Sequence, residues 1–219
     1  MCKRHIFAVV TFAEWRETKG EMDKDQLSIL RRLYKADIDE ACRVMCDGGV
    51  ILYPTDTIWG IGCDATNEEA VRRVYEIKQR EDSKALIVLV DSVAKVNAHV
   101  DAMPDVAWDL IELATTPLTI IYDRGKNLAP NLLAEDGSVG IRVTDEPFSH
   151  DLCFRFKRPI VSTSANISGH PSPANYSEID EDLKARVDYI VGYRRDDKSV
   201  SKPSGIIKLG AGGEVKIIR

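Results

Sequence analysis

The chain has 219 residues, 44% hydrophobic and 30% charged, with a formal net charge of −5. That length buries a full core as one domain, or one domain with an appendage. The acidic balance excludes bulk, non-specific nucleic-acid binding but leaves room for a local basic cleft. The longest apolar run, "ALIVLV", is far too short to span a bilayer, and the N-terminus lacks the core and cleavage site of a signal peptide.

In chain order, residues 1–36 are charged and weakly patterned, and read as a peripheral extension with a short helix near "QLSILRRLY"; Met22 is an alternative start. From Asp37 the signals sharpen. In "DIDEACRVMCDGG", Ile38, Ala41, Cys42 and Met45 recur at helical spacing and Gly48-Gly49 ends the run. Cys42 and Cys46 lie on this helix without a second ligand pair, which favours small buried residues over a metal site. With five scattered cysteines the chain reads as a protein of a reducing, cytoplasmic compartment.

"VILYP" predicts a strand, and "TNEEAVRRVYEIKQR" a helix opened by Thr66 and Glu69 in capping-box register. "ALIVLV" predicts a strand covered on both faces. Helices over "SVAKVNAHV" and "PDVAWDLIEL" follow, then strands at "LTIIY", "SVGIRV" and "PIVST". "SGIIKL", "GAGG" and "EVKII" read as a closing hairpin. The alternation predicts an α/β fold, and the hairpin argues against an all-parallel sheet.

Three strand ends concentrate polar residues. "YPTDTIWGIG" (residues 53–62) suits a turn, with Pro at an edge and Thr and Asp side chains on loose backbone groups; it suits a ligand wall equally. "IKQREDSK" places Lys78, Arg80 and Lys84 where a helix ends. Cations at a helix C-terminus are the commoner reading, against a cluster aimed at phosphate oxygens. "STSANISG" has ordinary loop composition, but hydroxyls and backbone N–H groups after a core strand also hold anions. Neither a Walker loop nor a dinucleotide fingerprint is present, and none of the four histidines is tied by pattern to a serine, so a hydrolase triad is unsupported.

Taken in order, the three segments resemble the YrdC-like threonylcarbamoyl-AMP synthases, which carry YPT-[DE]-T-x-[YFW]-G-[LI], K-x-R and S-x-S-A-N-x-S-G. Here these are "YPTDTIWGI", "KQR" and "STSANISG", and "SVGIRV" resembles the family's arginine-bearing strand. The resemblance covers residues from about 38 to 219, in the manner of the short, single-domain type, so residues 37–219 are the expected catalytic domain.

It implies a twisted, mixed, largely parallel sheet with flanking helices and a large electropositive cavity. The implied reaction joins L-threonine, bicarbonate and ATP into L-threonylcarbamoyladenylate with release of pyrophosphate. Mg²⁺ is held mainly by ATP. The product feeds N6-threonylcarbamoyladenosine at tRNA position 37 through threonylcarbamoyl-transferring proteins. By the resemblance Thr57, Arg142 and Ser162 meet threonine. Lys78 and Arg80 are catalytic, with Arg80 and Lys84 on phosphates. Ser138, Ser164, Asn166 and Ser172 line the nucleotide site, and Arg219 closes over it.

Departures stand at 114–116, where "ATTPLT" replaces "WPGPLT", at Gly205, at Leu89 and at Trp59. Rival expectations are a non-catalytic double-stranded RNA-binding module, and a carbamoyl-adenylating domain serving another acceptor.

Overall fold

The computed structural model describes residues 23–79, 86–199 and 203–219. Arg80 and Lys84 therefore lie outside the described residues. So does most of the expected N-terminal extension.

Helix α1 (Lys24–Cys46) is a single helix of 23 residues, capped by Asp23 and Gln26 in a reciprocal capping box. The expected boundary at residue 36 falls inside it. Leu30, Tyr34, Ile38, Ala41 and Met45 keep one apolar stripe through that point, and all five are buried. Within residues 23–36 the stripe buries Leu30 and Tyr34, and the other side chains of that segment are exposed or half-buried.

Nine strands follow among the described residues: β1 (Ile51–Tyr53), β2 (Gly60–Gly62), β3 (Ile87–Val90), β4 (Leu118–Tyr122), β5 (Val139–Val143), β6 (Ile160–Ser164), β7 (Tyr189–Ile190), β8 (Gly205–Leu209) and β9 (Val215–Ile217). They form one sheet in the order β7-β1-β2-β6-β3-β5-β4-β8-β9. The sheet is mixed as expected, but five of its eight strand pairs are antiparallel, so "largely parallel" does not hold. Short returns such as residues 54–59 force antiparallel neighbours, whereas parallel pairs need long crossovers.

The remaining helices are α2 (Glu68–Lys78), α3 (Val93–His99), α4 (Asp105–Glu112), α5 (Pro147–Phe156) and α6 (Glu181–Lys184). Asn67, not Thr66, caps α2 through its side chain to the Ala70 N–H, while Thr66 turns back to Asp64. None of the described helices is long and apolar enough to cross a membrane.

Two faces of the sheet are used differently. On one, Leu52, Val88, Val90, Ile120, Ile141, Val161 and Ile207 pack under α2, α3 and α4 as a continuous core. On the other, Ile51, Tyr53, Leu89 and Ile160 pack against α1 and α5. Strand register continues that second face into Gly60, Ser162, Ser164, Ile87 and Arg142. Those positions line a cavity beyond the cover of the two helices. The uncovered part of this face is where the polar residues gather.

Candidate active site

The first wall is the turn between β1 and β2. Pro54 follows the last residue of β1, and the antiparallel return pairs Tyr53 with Gly60 and Ile51 with Gly62. The glycines thus belong to a strand rather than to a loop. A Cβ on Gly62 would stand 2.6 Å from the Tyr53 ring and 2.6 Å from the Val161 carbonyl, so the close approach needs glycine.

Within the turn, Thr55 Oγ1 donates to the Ile58 carbonyl at 2.7 Å and accepts the Thr57 N–H at 3.1 Å. The two threonine hydroxyls are 3.1 Å apart. Because the single proton of Thr55 points at Ile58, Thr57 donates to Thr55. The lone pairs of Thr57 are left as acceptors on the cavity wall.

Behind this wall lies a buried charge network. Arg142 Nη2 is 3.1 Å from Asp56 Oδ1, and both side chains are 3% exposed. Burial pushes the Asp56 carboxyl up, Arg142 opposes that and Asp145 adds to it. Glu146 is fully buried; its Oε2 accepts the Ser149 N–H and hydroxyl, and Oε1 lies 3.7 Å from Arg194. Burial raises its carboxyl as well, against the pull of Arg194. Such pairs persist only where each charge keeps its partner.

The second wall is β6 and the loop after it. Ser162 and Ser164 point into the cavity from β6, and Ser172 joins them from the loop. Lys78, at the end of α2, is 2% exposed. Its ammonium donates to the carbonyls of Ser164 and Asn166, the latter at 2.8 Å, and its own carbonyl accepts the Ser168 N–H. Among the described residues Lys78 is not part of the cavity lining. It fastens the loop from behind. Gln79 then takes a left-handed backbone (φ 49°), which turns the chain out of the helix. Asn166 also works inside the loop, donating to the carbonyls of Ile167 and His170.

The far wall was not legible as one. Thr119 Oγ1 and Ser204 Oγ are 2.9 Å apart, both buried and both on the cavity. The departure at Gly205 therefore leaves the hydroxyl before it in place. Arg219 lines the same wall and forks Nε and Nη2 onto the Ser204 carbonyl at 3.2 and 3.1 Å.

The cavity encloses about 290 Å³. Of the expected site residues it gathers Thr57, Arg142, Ser162, Ser164, Ser172 and Arg219. Ser138 and Asn166 are not in its described lining; Ser138 immediately precedes β5, its N–H on Asp136. Leu89 is core against α1 and α5, not a pocket residue. Trp59 lines the cavity with its ring 5.0 Å from that of Tyr176.

Two arginines and eight hydroxyls, with no side-chain carboxylate among the described lining residues, suit an anionic ligand. Mg²⁺ takes oxygen ligands and keeps its own waters and phosphates. The oxygen donors of the lining are compatible with an ion that keeps phosphate and water ligands of its own. No group of three or more metal-ligating side chains occurs among the described residues.

Comparison with known proteins agrees with this geometry. A family model named Sua5/YciO/YrdC, described as telomere recombination, matches residues 43–219. A protein of Pseudomonas aeruginosa named threonylcarbamoyl-AMP synthase is 36% identical over 155 residues, 69% of this chain and 82% of its own. A Vibrio campbellii protein of the same name is 31% identical, over 78% of this chain and 92% of its own. Among solved structures, Escherichia coli YciO superposes with a TM-score of 0.71 at 26% identity, over 83% of this chain and 87% of that one. Pyrococcus abyssi Sua5 complexed with L-threonine gives 0.68 at 27%, over 78% of this chain. This chain spans half the length of that Sua5 chain. With four-fifths of its residues under the family model, the chain belongs to the Sua5/YciO/YrdC family.

Proposed function

We infer that the chain is an L-threonylcarbamoyladenylate synthase, a nucleotidyltransferase consuming L-threonine, bicarbonate and ATP in the cytoplasm. The observation that carries this reading is the single cavity joining Thr57, Arg142 and Ser162 to Ser164, Ser172 and Arg219. Relatives named threonylcarbamoyl-AMP synthase and a related structure solved with L-threonine support it.

In this reading Arg142 forks the threonine carboxylate, held in place by Asp56. Thr57 offers its lone pairs to an N–H or O–H of the same substrate. The threonine amine and bicarbonate form a carbamate with loss of water. A carbamate oxygen then bonds to the α-phosphorus of ATP, the bond to the β-phosphate oxygen breaks, and pyrophosphate leaves. No enzyme nucleophile is needed, so the work is positioning and charge neutralisation.

Ser164 and Ser172 supply hydroxyl donors, and Arg219 closes the wall. Arg80 and Lys84 take the phosphates, and Lys78 keeps the Ser164 loop where those contacts form. Mg²⁺ arriving with ATP adds neutralisation of phosphate charge. The adenylate is then consumed by proteins that transfer the threonylcarbamoyl group to tRNA.

The test is pyrophosphate release by the purified chain, which should require both L-threonine and bicarbonate. Equal release without threonine overturns the assignment. Arg80→Ala should slow the reaction on the order of a hundredfold, and full activity of that variant removes the role given to Arg80.

A further inference from the structure

Arg194 lies far from the three family segments, in a loop after β7, yet it reaches the back of the threonine wall. Its Nη1 donates to the Thr55 carbonyl at 3.0 Å, the same group lies 3.7 Å from buried Glu146, and its Nε donates to Asp197 at 3.0 Å. The side chain is 9% exposed. It does not line the cavity.

The backbone of Arg194 is left-handed, with φ at 65°. That conformation costs a residue with a Cβ free energy, and it persists only where the surroundings over-determine it. Here they do. The Gly192 and Tyr193 N–H groups both donate to Asp37 of α1, at 2.9 and 2.8 Å. The Tyr193 ring packs on Tyr34 and Phe148, at centroid distances of 5.1 and 5.5 Å. The loop is pinned to α1 and α5, and one side chain carries that anchorage to the Thr55 carbonyl.

We propose that Arg194 is a positioning residue for the amino-acid substrate, fixing the peptide 55–57 so that Thr57 faces the cavity while Asp56 stays paired with Arg142 behind it. The proposal deepens the synthase reading and rests on it. A guanidinium can serve Thr55, Glu146 and Asp197 at once through its planar fork. A single ammonium cannot span all three. The threonine end of the site therefore depends on Arg194, while the ATP end, built on β6 and the Lys78-held loop, does not.

The experiment measures pyrophosphate release against threonine and ATP for the unsubstituted chain, Arg194→Lys and Asp197→Asn, with thermal unfolding as the control. Arg194→Lys keeps a cation beside Glu146. It should raise the threonine KM by about tenfold, with the ATP KM and kcat within about twofold. Asp197→Asn, which loosens the fork without removing a partner from Glu146, should raise the threonine KM by about threefold. If Arg194→Lys does not fold, Asp197→Asn decides alone. An unchanged threonine KM in the folded variants overturns the proposal, as does a parallel rise in both KM values. Absence of threonine-dependent release in the unsubstituted chain overturns the synthase reading and this proposal with it.

Discussion

Asp56 and Arg142 form an ion pair at 3.1 Å between two side chains that are each 3% exposed, one on the β1–β2 turn and one on β5. Such a pair gives little net stability when intact and costs heavily when halved. Asp56→Asn leaves the guanidinium buried beside a neutral amide. The expected loss is about 3 kcal/mol of unfolding free energy in urea, accompanied by a raised threonine KM because Arg142 loses its orienting partner. Unchanged stability and unchanged KM together would show that Asp56 neither pairs with nor aims Arg142.

Thr57→Val preserves shape and removes one hydroxyl. The Thr55 hydroxyl still satisfies the Ile58 carbonyl, so the turn keeps its main internal bond. What disappears is the acceptor facing the cavity. A substrate N–H or O–H then meets a methyl group, which should raise the threonine KM by roughly tenfold while ATP titrates as before. A threonine KM equal to that of the parent chain would remove Thr57 from the substrate contacts.

Lys78→Met tests whether this lysine acts through the loop. Its ammonium holds the Ser164 and Asn166 carbonyls, and losing hydrogen bonds from a charged group should cost about 2 kcal/mol of stability. If the lysine works by holding Ser164, then Lys78→Met and Ser164→Ala should be markedly non-additive in ATP KM. Additive effects with undiminished stability would instead favour direct contact between the ammonium and a phosphate.

The sequence made some of this readable and hid the rest for physical reasons. Runs such as "LTIIY" and "ALIVLV" declared themselves because β-branched residues fill both faces of a buried strand. Strand β2 did not: "GIG" has two glycines, and its glycines answer to Tyr53 and the Val161 backbone rather than to strand propensity. Helix α5 went unrecognised because Phe148, Ser149, Leu152, Cys153 and Phe156 are buried, which leaves a narrow polar face and weak periodicity. At the site, the polar ends of β1 and β6 were visible in their own segments. The Thr119–Ser204 contact joins residues 85 apart, and Arg194 reaches Thr55 across 139. Those contacts exist only through the crossing order of the strands, which local pattern does not encode.

The join between α1 and α5 supplies a pH prediction distant from the cavity. Asp151 accepts from Arg31 and from the Tyr34 hydroxyl, each at distances of 2.8 to 3.0 Å, and lies 3.4 Å from the His150 ring. Burial pushes its carboxyl up, but the bonds from His150, Arg31 and Tyr34 outweigh that and bring it down to about 2. His150 is raised above its ordinary 6.5, first by its bond to Asp151 and against the effect of burial. A depressed carboxyl stabilises the fold above its unfolded value, near 4, and that contribution fades as pH falls towards 2. A raised imidazole stabilises below its unfolded value and loses the contribution as pH climbs through the raised one. Asp151→Asn removes both. The gap in unfolding free energy between parent and variant should therefore be greatest between about pH 4 and 6, at roughly 2 kcal/mol. It should narrow on either side of that window. Urea unfolding across pH 3 to 8 would measure it, and a gap independent of pH would show that the charges of Asp151 and His150 do not stabilise this join.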